Sequence, residues 1–356
     1  MSSNLATTEP SVSAPSQESI RARASAPEFL SDASPKDKPW DARRSECQSL
    51  EGRLADAHSA RLAGRMRACA PWLTFAQHTN TETGEWSIKL HKANFCRVRH
   101  CPVCQWRRSL MHKARFIQSL PKVFEQVPHT ARWILLTLTV KNCAIGDLKA
   151  AILDMQAAFR RLTKRTEFSH VLGWIRATEV TRAADDTAHP HMHVLLLVSP
   201  SYFDGKHYVK QSLWQRAWQE AARLDYQPVV DVRAIKLSRK KREEREAAAA
   251  AGLPVDHEHI ALAATAAAEV LKYATKATDL IDAPTPWLMT YISQVHKLRF
   301  LGPGGVLKKA LQDESDDDDL VHVGEGEDGD DEKEPDTMHF VYGRQARRYA
   351  RETTEA

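Results

Sequence analysis

His191 and His193 are separated by one residue at the head of an apolar run, HMHVLLLV. In a strand, the period of two turns both imidazoles to one face, where they can share one divalent ion on a rigid backbone. The run before it, VLGWIRATEVT (Val171–Thr181), also reads as a strand, and the polar AADDTAHP between the two suits a hairpin. A turn near Ala184–Thr187 brings Glu179 opposite the histidines as a third ligand. Taken alone, His-x-His is better read as two histidines on a polar strand face.

A second set lies in Glu269-Val-Leu-Lys272-Tyr273-Ala-Thr-Lys276, which reads as part of a helix running to Ile281. Four-residue spacing puts Glu269 and Tyr273 on one face, with Lys276 following on the same side. A phenol with a pKa of about 10 is a poor nucleophile until its proton is removed or its target is polarised. A lysine can stabilise charge developing at the target, and Glu269 can serve as a general base. A helix with an ordinary polar pair and a half-buried tyrosine has the same pattern.

Cys96, Cys101 and Cys104, in Cys-x4-Cys-Pro-x-Cys, have metal-ligand spacing, and Cys69 can be the fourth ligand. Four thiolates would make a closed structural zinc site in a segment with little core of its own. Reduced free thiols, or three cysteines with a histidine such as His100, fit the spacing too. Cys47 and Cys143 read as ordinary thiols. Arg97, Arg99, Arg107 and Arg108 surround the cluster, as DNA-phosphate contacts or as a solvated basic face.

The elements that must position these residues follow from periodicity. QWRRSLMHKARFIQSL and the Gly146–Arg165 segment have helical spacing, as does QSLWQRAWQEAARL, whose Trp214 and Trp218 read as core. Trp133–Val140 is apolar and β-branched, a buried strand; PVVDVRAIKL and LRFLGPGGVLKK read as further strands. A charged, Ala-rich stretch spans Ser238 to about Ala268, an insertion or an extended helix that is partly mobile. The order is that of an α+β domain, mainly antiparallel sheet with flanking helices. Four segments result: a disordered extension (1–45), a Cys/Arg-rich zinc-binding segment (46–120), a domain carrying the histidines and tyrosine (121–310), and an acidic, mostly disordered tail (311–356).

The net charge of +4 conceals an asymmetry. Asp313–Asp336 holds 14 acidic residues and one lysine; the remainder has 49 Lys and Arg against 32 Asp and Glu, a charge of +17. Such a body suits phosphate backbones, and the acidic segment could compete with DNA for it. No apolar stretch approaches the roughly 18 residues of a membrane span, and the first residues lack the apolar core of a secretory signal. A cytoplasmic, membrane-free protein is expected, a reducing setting in which clustered cysteines suggest metal.

From about Cys69 to Lys308 the chain resembles the rolling-circle replication initiators of small bacterial plasmids, members of the His-hydrophobic-His (HUH) endonucleases. The motifs occur in order: LTLTVKN (Leu136–Asn142), HPHMH (His189–His193) and KYATK (Lys272–Lys276), with SYFDGKHYV, the tryptophan-bearing helix and DYQPVVDVRAIK between them. The resemblance implies an HUH fold in which His191, His193 and Glu179 bind Mg²⁺ or Mn²⁺. It implies that Tyr273 attacks a phosphate at the plasmid's double-strand origin, giving a 5′-phosphotyrosyl link and a free 3′-OH. Glu269 takes the place of the carboxylate that activates water in termination, and Lys276 assists. The cysteine pattern, upstream cysteine included, is similar too. Origin DNA, single-stranded at the nick, a host helicase and a host DNA polymerase are the implied partners. Asn142, Lys272 and Arg299 join the arginines as expected DNA contacts. The other classes weighed are an insertion-sequence transposase of the same chemistry and a zinc-containing DNA-binding protein without catalysis.

Overall fold

The structure is a computed structural model that describes residues 28–79, 84, 86–128, 130–236, 239–240, 243, 247, 258–271, 275–311, 320–321 and 336–352. Lys272 and Tyr273 lie outside the described residues, as do most of the charged insertion before residue 258 and most of the acidic run.

After one helical turn at Leu30–Ala33 come helices α1 (Pro39–Asp56) and α2 (Ala60–Arg67), then strands β1 (Trp72–Thr79) and β2 (Trp86–Ala93). Helix α3 (Pro102–Phe124) starts on Cys101, and Pro102 suits its first position because the missing N–H would be unpaired there. Strand β3 (Arg132–Thr139), helix α4 (Leu148–Leu162), strands β4 (Val171–Arg182) and β5 (Ala188–Val198), helix α5 (Gln211–Ala222) and strand β6 (Val230–Ala234) follow. Helices α6 (Glu258–Val270), α7 (Ala277–Ile281) and α8 (Thr285–Gln294) precede β7 (Leu301–Gly305), β8 (Thr337–Gly343) and β9 (Arg348–Arg351).

Two antiparallel sheets result, one in the order β6-β3-β5-β4-β7 and one in the order β2-β1-β8-β9, which makes the molecule α+β. The larger sheet is covered on both faces. Leu136, Leu138, Met192, Val194 and Leu196 pack with α4 and α5, burying Trp214 and Trp218 as expected. On the other face, Leu135, Ile175, Ala177, Leu195 and Leu197 meet Phe116 and Leu120 of α3 and Ala263, Ala266 and Ala267 of α6. Among the described residues no helix is long and apolar enough to cross a membrane.

Three expectations are corrected and one alternative is decided. The extension taken as disordered through residue 45 is helical from Leu30 onward, because Trp40, Arg44, Cys47, Leu50 and Leu54 form a buried stripe at helical spacing. The segment taken as a disordered tail returns as β8 and β9, with Met338, Phe340 and Tyr342 alternating into the core beside β1. Of the two alternatives for the Ala-rich stretch, the helix holds from Glu258, where α6 begins, its small residues allowing close approach to the sheet. The single helix expected through Ile281 ends at Val270: Lys276 is extended, and the Thr275 hydroxyl is buried 2.5 Å from the Tyr291 hydroxyl. That tertiary contact overrides a locally helical pattern.

The β4–β7 pairing depends on Gly304, where a Cβ would lie 2.2 Å from the Trp174 ring, and on Gly305, whose φ is +59°. Gly304→Ala is expected to destabilise the chain by at least about 1–3 kcal/mol through overpacking. Gly52→Ala, on an open helix surface, should be neutral or stabilising. Thermal unfolding of the two variants beside the wild type checks both.

Candidate metal centres and active site

The β4–β5 hairpin closes through Ala183 and Thr187, and its register sets Glu179 directly across from His191 and Ala177 across from His193. All three polar side chains share the face on which Ile175, Ala177, Leu195 and Leu197 are buried, beyond the end of that apolar patch. The Glu179 Oε2 atom lies 3.6 Å from His191 Nε2 and 3.4 Å from His193 Nε2. On the far side of each ring Nδ1 has a partner: the Thr137 hydroxyl at 3.2 Å for His193, and for His191 the His189 carbonyl, which accepts at 3.3 Å. With Nδ1 of each ring engaged there, both Nε2 atoms turn toward the carboxylate. Burial pushes the Glu179 pKa up, but hydrogen bonds from His191 and His193 outweigh it and bring the carboxyl to about 2, so it is ionised. One carboxylate and two imidazoles converging within ligand range fit a divalent cation that accepts oxygen and nitrogen.

Sequence reasoning missed two supports of this cluster. Thr137, across from His193 in the β3–β5 register, carried no signal of its own. His189 stacks on His191, ring centroids 5.2 Å apart, and donates from Nδ1 to Asn142 Oδ1 at 2.8 Å. Its even spacing from His191 and His193 was the available signal. Asn142 also donates to the Thr187 hydroxyl, so its amide braces the hairpin end.

The second cluster sits where α3 begins. The Sγ atoms of Cys69, Cys96, Cys101 and Cys104 all lie within 4.8 Å of one another, with Cys69–Cys101 at 3.5 Å, Cys69–Cys104 at 3.6 Å and Cys96–Cys104 at 3.7 Å. These separations far exceed the roughly 2.05 Å of a disulfide. Contacts from Cys101, Cys104, Cys47 and Cys96 hold the Cys69 thiol far below the usual thiol range, while burial drives Cys101 far above it. Four sulfurs this close ionise together only around a cation, and the N-terminus of α3 favours their negative charge. The donor set fits a tetrathiolate metal site. His100 stays outside it, buried against the Tyr291 ring, and burial lowers its pKa to about 4.

The arginines divide. Arg97 is exposed, and Arg108 is half-buried and reaches the Arg97 carbonyl. Arg99 is half-buried and donates to the Leu298 carbonyl. Arg107 is a correction: it is buried, gives Nε and Nη2 to the Leu320 and Val321 carbonyls at 2.8 Å each, and has no face left for DNA. Arg299, Asn142, Lys276 and Glu269 are exposed, Glu269 in the last turn of α6. With Lys276 off that helix, the expected single face of Glu269, Tyr273 and Lys276 does not hold for the lysine. Residues 272–274 are flanked by fixed points: Ser109 on α3 donates to the Leu271 carbonyl, and Thr275 is bonded to Tyr291. Tyr291 is fully buried, and burial raises its pKa to about 12.

Fold and clusters together define an α+β protein with one oxygen–nitrogen and one all-sulfur metal-type centre. A family model described as replication protein matches residues 87–350. The chain belongs to that family. It is 33% identical to a protein named "Protein rep" from Bacillus sp over 291 residues, 80% of this chain and 88% of that one. It is 34% identical to a "Protein rep" from Bacillus amyloliquefaciens, over 80% of each chain. A "Replication protein" from Staphylococcus aureus is 32% identical, over 63% of this chain and 92% of its own length. No solved structure matches.

Thr137→Val should weaken Mn²⁺ binding at Glu179, His191 and His193 about tenfold, because His193 loses the hydrogen bond that orients its ring. Titration of the full chain with Mn²⁺, followed by electron paramagnetic resonance, reads the change; equal affinity would show that Thr137 does not orient the ring.

Proposed function

We propose that this protein initiates rolling-circle plasmid replication as an HUH-type endonuclease and strand transferase. The observation that carries the reading is the convergence of Glu179, His191 and His193 on the sheet face that also receives α6, the helix leading into Tyr273. Membership of the replication protein family gives the biological setting.

In this reading the Tyr273 phenolate oxygen attacks a phosphorus of the plasmid's double-strand origin. The P–O3′ bond breaks, a 3′-OH is freed for a host polymerase, and the 5′ side stays bound as a phosphotyrosyl ester. One ester replaces another, so rejoining needs no external energy source. Glu179, His191 and His193 would hold Mg²⁺ or Mn²⁺, which supplies polarisation of the scissile phosphate. The exposed Lys276 ammonium is available to the charge that develops on the phosphate oxygens. Glu269 acts as general base for the water or sugar hydroxyl that ends the round.

Cys69, Cys96, Cys101 and Cys104 would hold structural Zn²⁺. Arg97, Arg99, Arg108, Asn142, Lys272 and Arg299 serve the DNA backbone, with a host helicase separating the strands in the cytoplasm.

Incubating the chain with Mn²⁺ and single-stranded DNA from its own replicon's origin should give a covalent adduct on a denaturing gel. Tyr273→Phe and His191→Ala should give none. An adduct that survives Tyr273→Phe moves the nucleophile elsewhere, and no adduct from the wild type on any origin strand leaves a protein that only binds DNA.

Glu269→Ala should nick at the wild-type rate and then accumulate the adduct after one round. Normal release in a replication assay would remove Glu269 from termination.

A further inference from the structure

Helix α1 carries a buried cation that none of these steps uses. The Arg44 side chain is only 2% exposed, and its guanidinium lies over the Tyr342 ring, 4.8 Å from the centroid. Its Nη2 donates to the Arg67 carbonyl, two residues before Cys69. Nε and Nη1 are buried with no hydrogen-bond partner among the described residues.

A guanidinium cannot shed its proton, so a buried one requires negative charge nearby. The carboxylates of this unit are committed elsewhere. Glu51 takes Arg67 at 2.7 Å and Arg344 at 2.9 Å; Asp41 accepts from the Tyr349 backbone N–H and faces Arg348. Among the described residues, the sulfur cluster is what remains. Cys47, three residues after Arg44 on α1, is fully buried with its Sγ 3.5 Å from Cys101 Sγ. Its hydrogen has two acceptors in range, that sulfur and the Met66 carbonyl at 3.6 Å.

We propose that α1 supplies the outer layer of the sulfur site: Arg44 is its resident counter-charge, and Cys47 donates an S–H hydrogen bond to Cys101. The proposal rests on reading Cys69, Cys96, Cys101 and Cys104 as metal ligands. Four thiolates around a divalent ion carry two excess negative charges, which is what a buried arginine without a carboxylate can balance. A site with neutral thiols or a histidine ligand would carry less charge and leave Arg44 uncompensated. Cys47, expected from the sequence to be an ordinary thiol, is thus a positioning residue, and so is Arg44.

The test uses the full chain loaded with Zn²⁺ and competed with a chromophoric chelator. Arg44→Met keeps the length of the side chain without the charge and should bind zinc about 10–100-fold more weakly, the usual effect of losing an outer-shell partner. Arg44→Lys should restore most of the affinity. With Co²⁺ in place of zinc, the thiolate-to-metal charge-transfer band should move to lower energy in Arg44→Met and return in Arg44→Lys. Cys47→Ala should shift it in the same direction by less. Wild-type affinity and an unmoved band in Arg44→Met overturn the counter-charge. Should Arg44→Met fail to fold, Arg44→Lys decides: wild-type binding and band uphold the charge, and loss of both overturns it. A wild-type chain that takes up neither Zn²⁺ nor Co²⁺ refutes the metal reading itself, an outcome distinct from either.

Discussion

The register between β4 and β5 is the constraint on which the candidate active site depends. A slip of β5 by one residue would turn His191 and His193 to the face opposite Glu179. Burial on both faces prevents it: Val194, Leu196 and Val198 are enclosed under α4 and α5, while Leu195 and Leu197 are enclosed under α3 and α6. The same alternation that builds the core therefore aims the ligands, and Thr137 and the His189 carbonyl set the remaining freedom, that of the rings.

Helix α3 connects the two centres. It begins among the thiols at Cys101 and Cys104, and its far half packs Phe116, Leu120 and Val123 onto the sheet. Between these ends Ser109 holds the Leu271 carbonyl. On the other side of residues 272–274, Arg53 of α1 donates to the Ala283 carbonyl and Arg99 to the Leu298 carbonyl. The sulfur-bearing unit thus grips the chain on both sides of the tyrosine segment. A metal bound among the thiols would stiffen that grip.

The sheet and its hairpin were legible because β-branched and apolar residues recur with period two between clear turn signals. Glu179 followed from counting across that hairpin. Other features were hidden by composition. The Ser- and Pro-rich extension masked the helical stripe Trp40–Cys47–Leu54, and the acidic run masked the alternation of Met338, Phe340 and Tyr342. The break after Val270 is set by a distant hydroxyl, that of Tyr291, which local propensity does not register. Arg107 and Arg108 are adjacent and chemically identical; only the packing of α3 against Leu320 and Val321 tells the buried one from the accessible one.

The pairing of β1 with β8 joins Trp72 to Val341, near opposite ends of the described chain. A nascent chain exposes the thiols early, yet their sheet stays incomplete, with an open edge on β1, until the strands far downstream have been synthesised. Closing so long a loop is slow and adds little enthalpy until it is finished. Synthesis interrupted before β8 leaves Tyr349 unavailable to the Ala70 carbonyl and the wall of aromatic rings around Trp40 unfinished. The arrangement therefore works as a length check on the product: a shortened polypeptide can contain every motif of the central sheet and still lack the unit that steadies it.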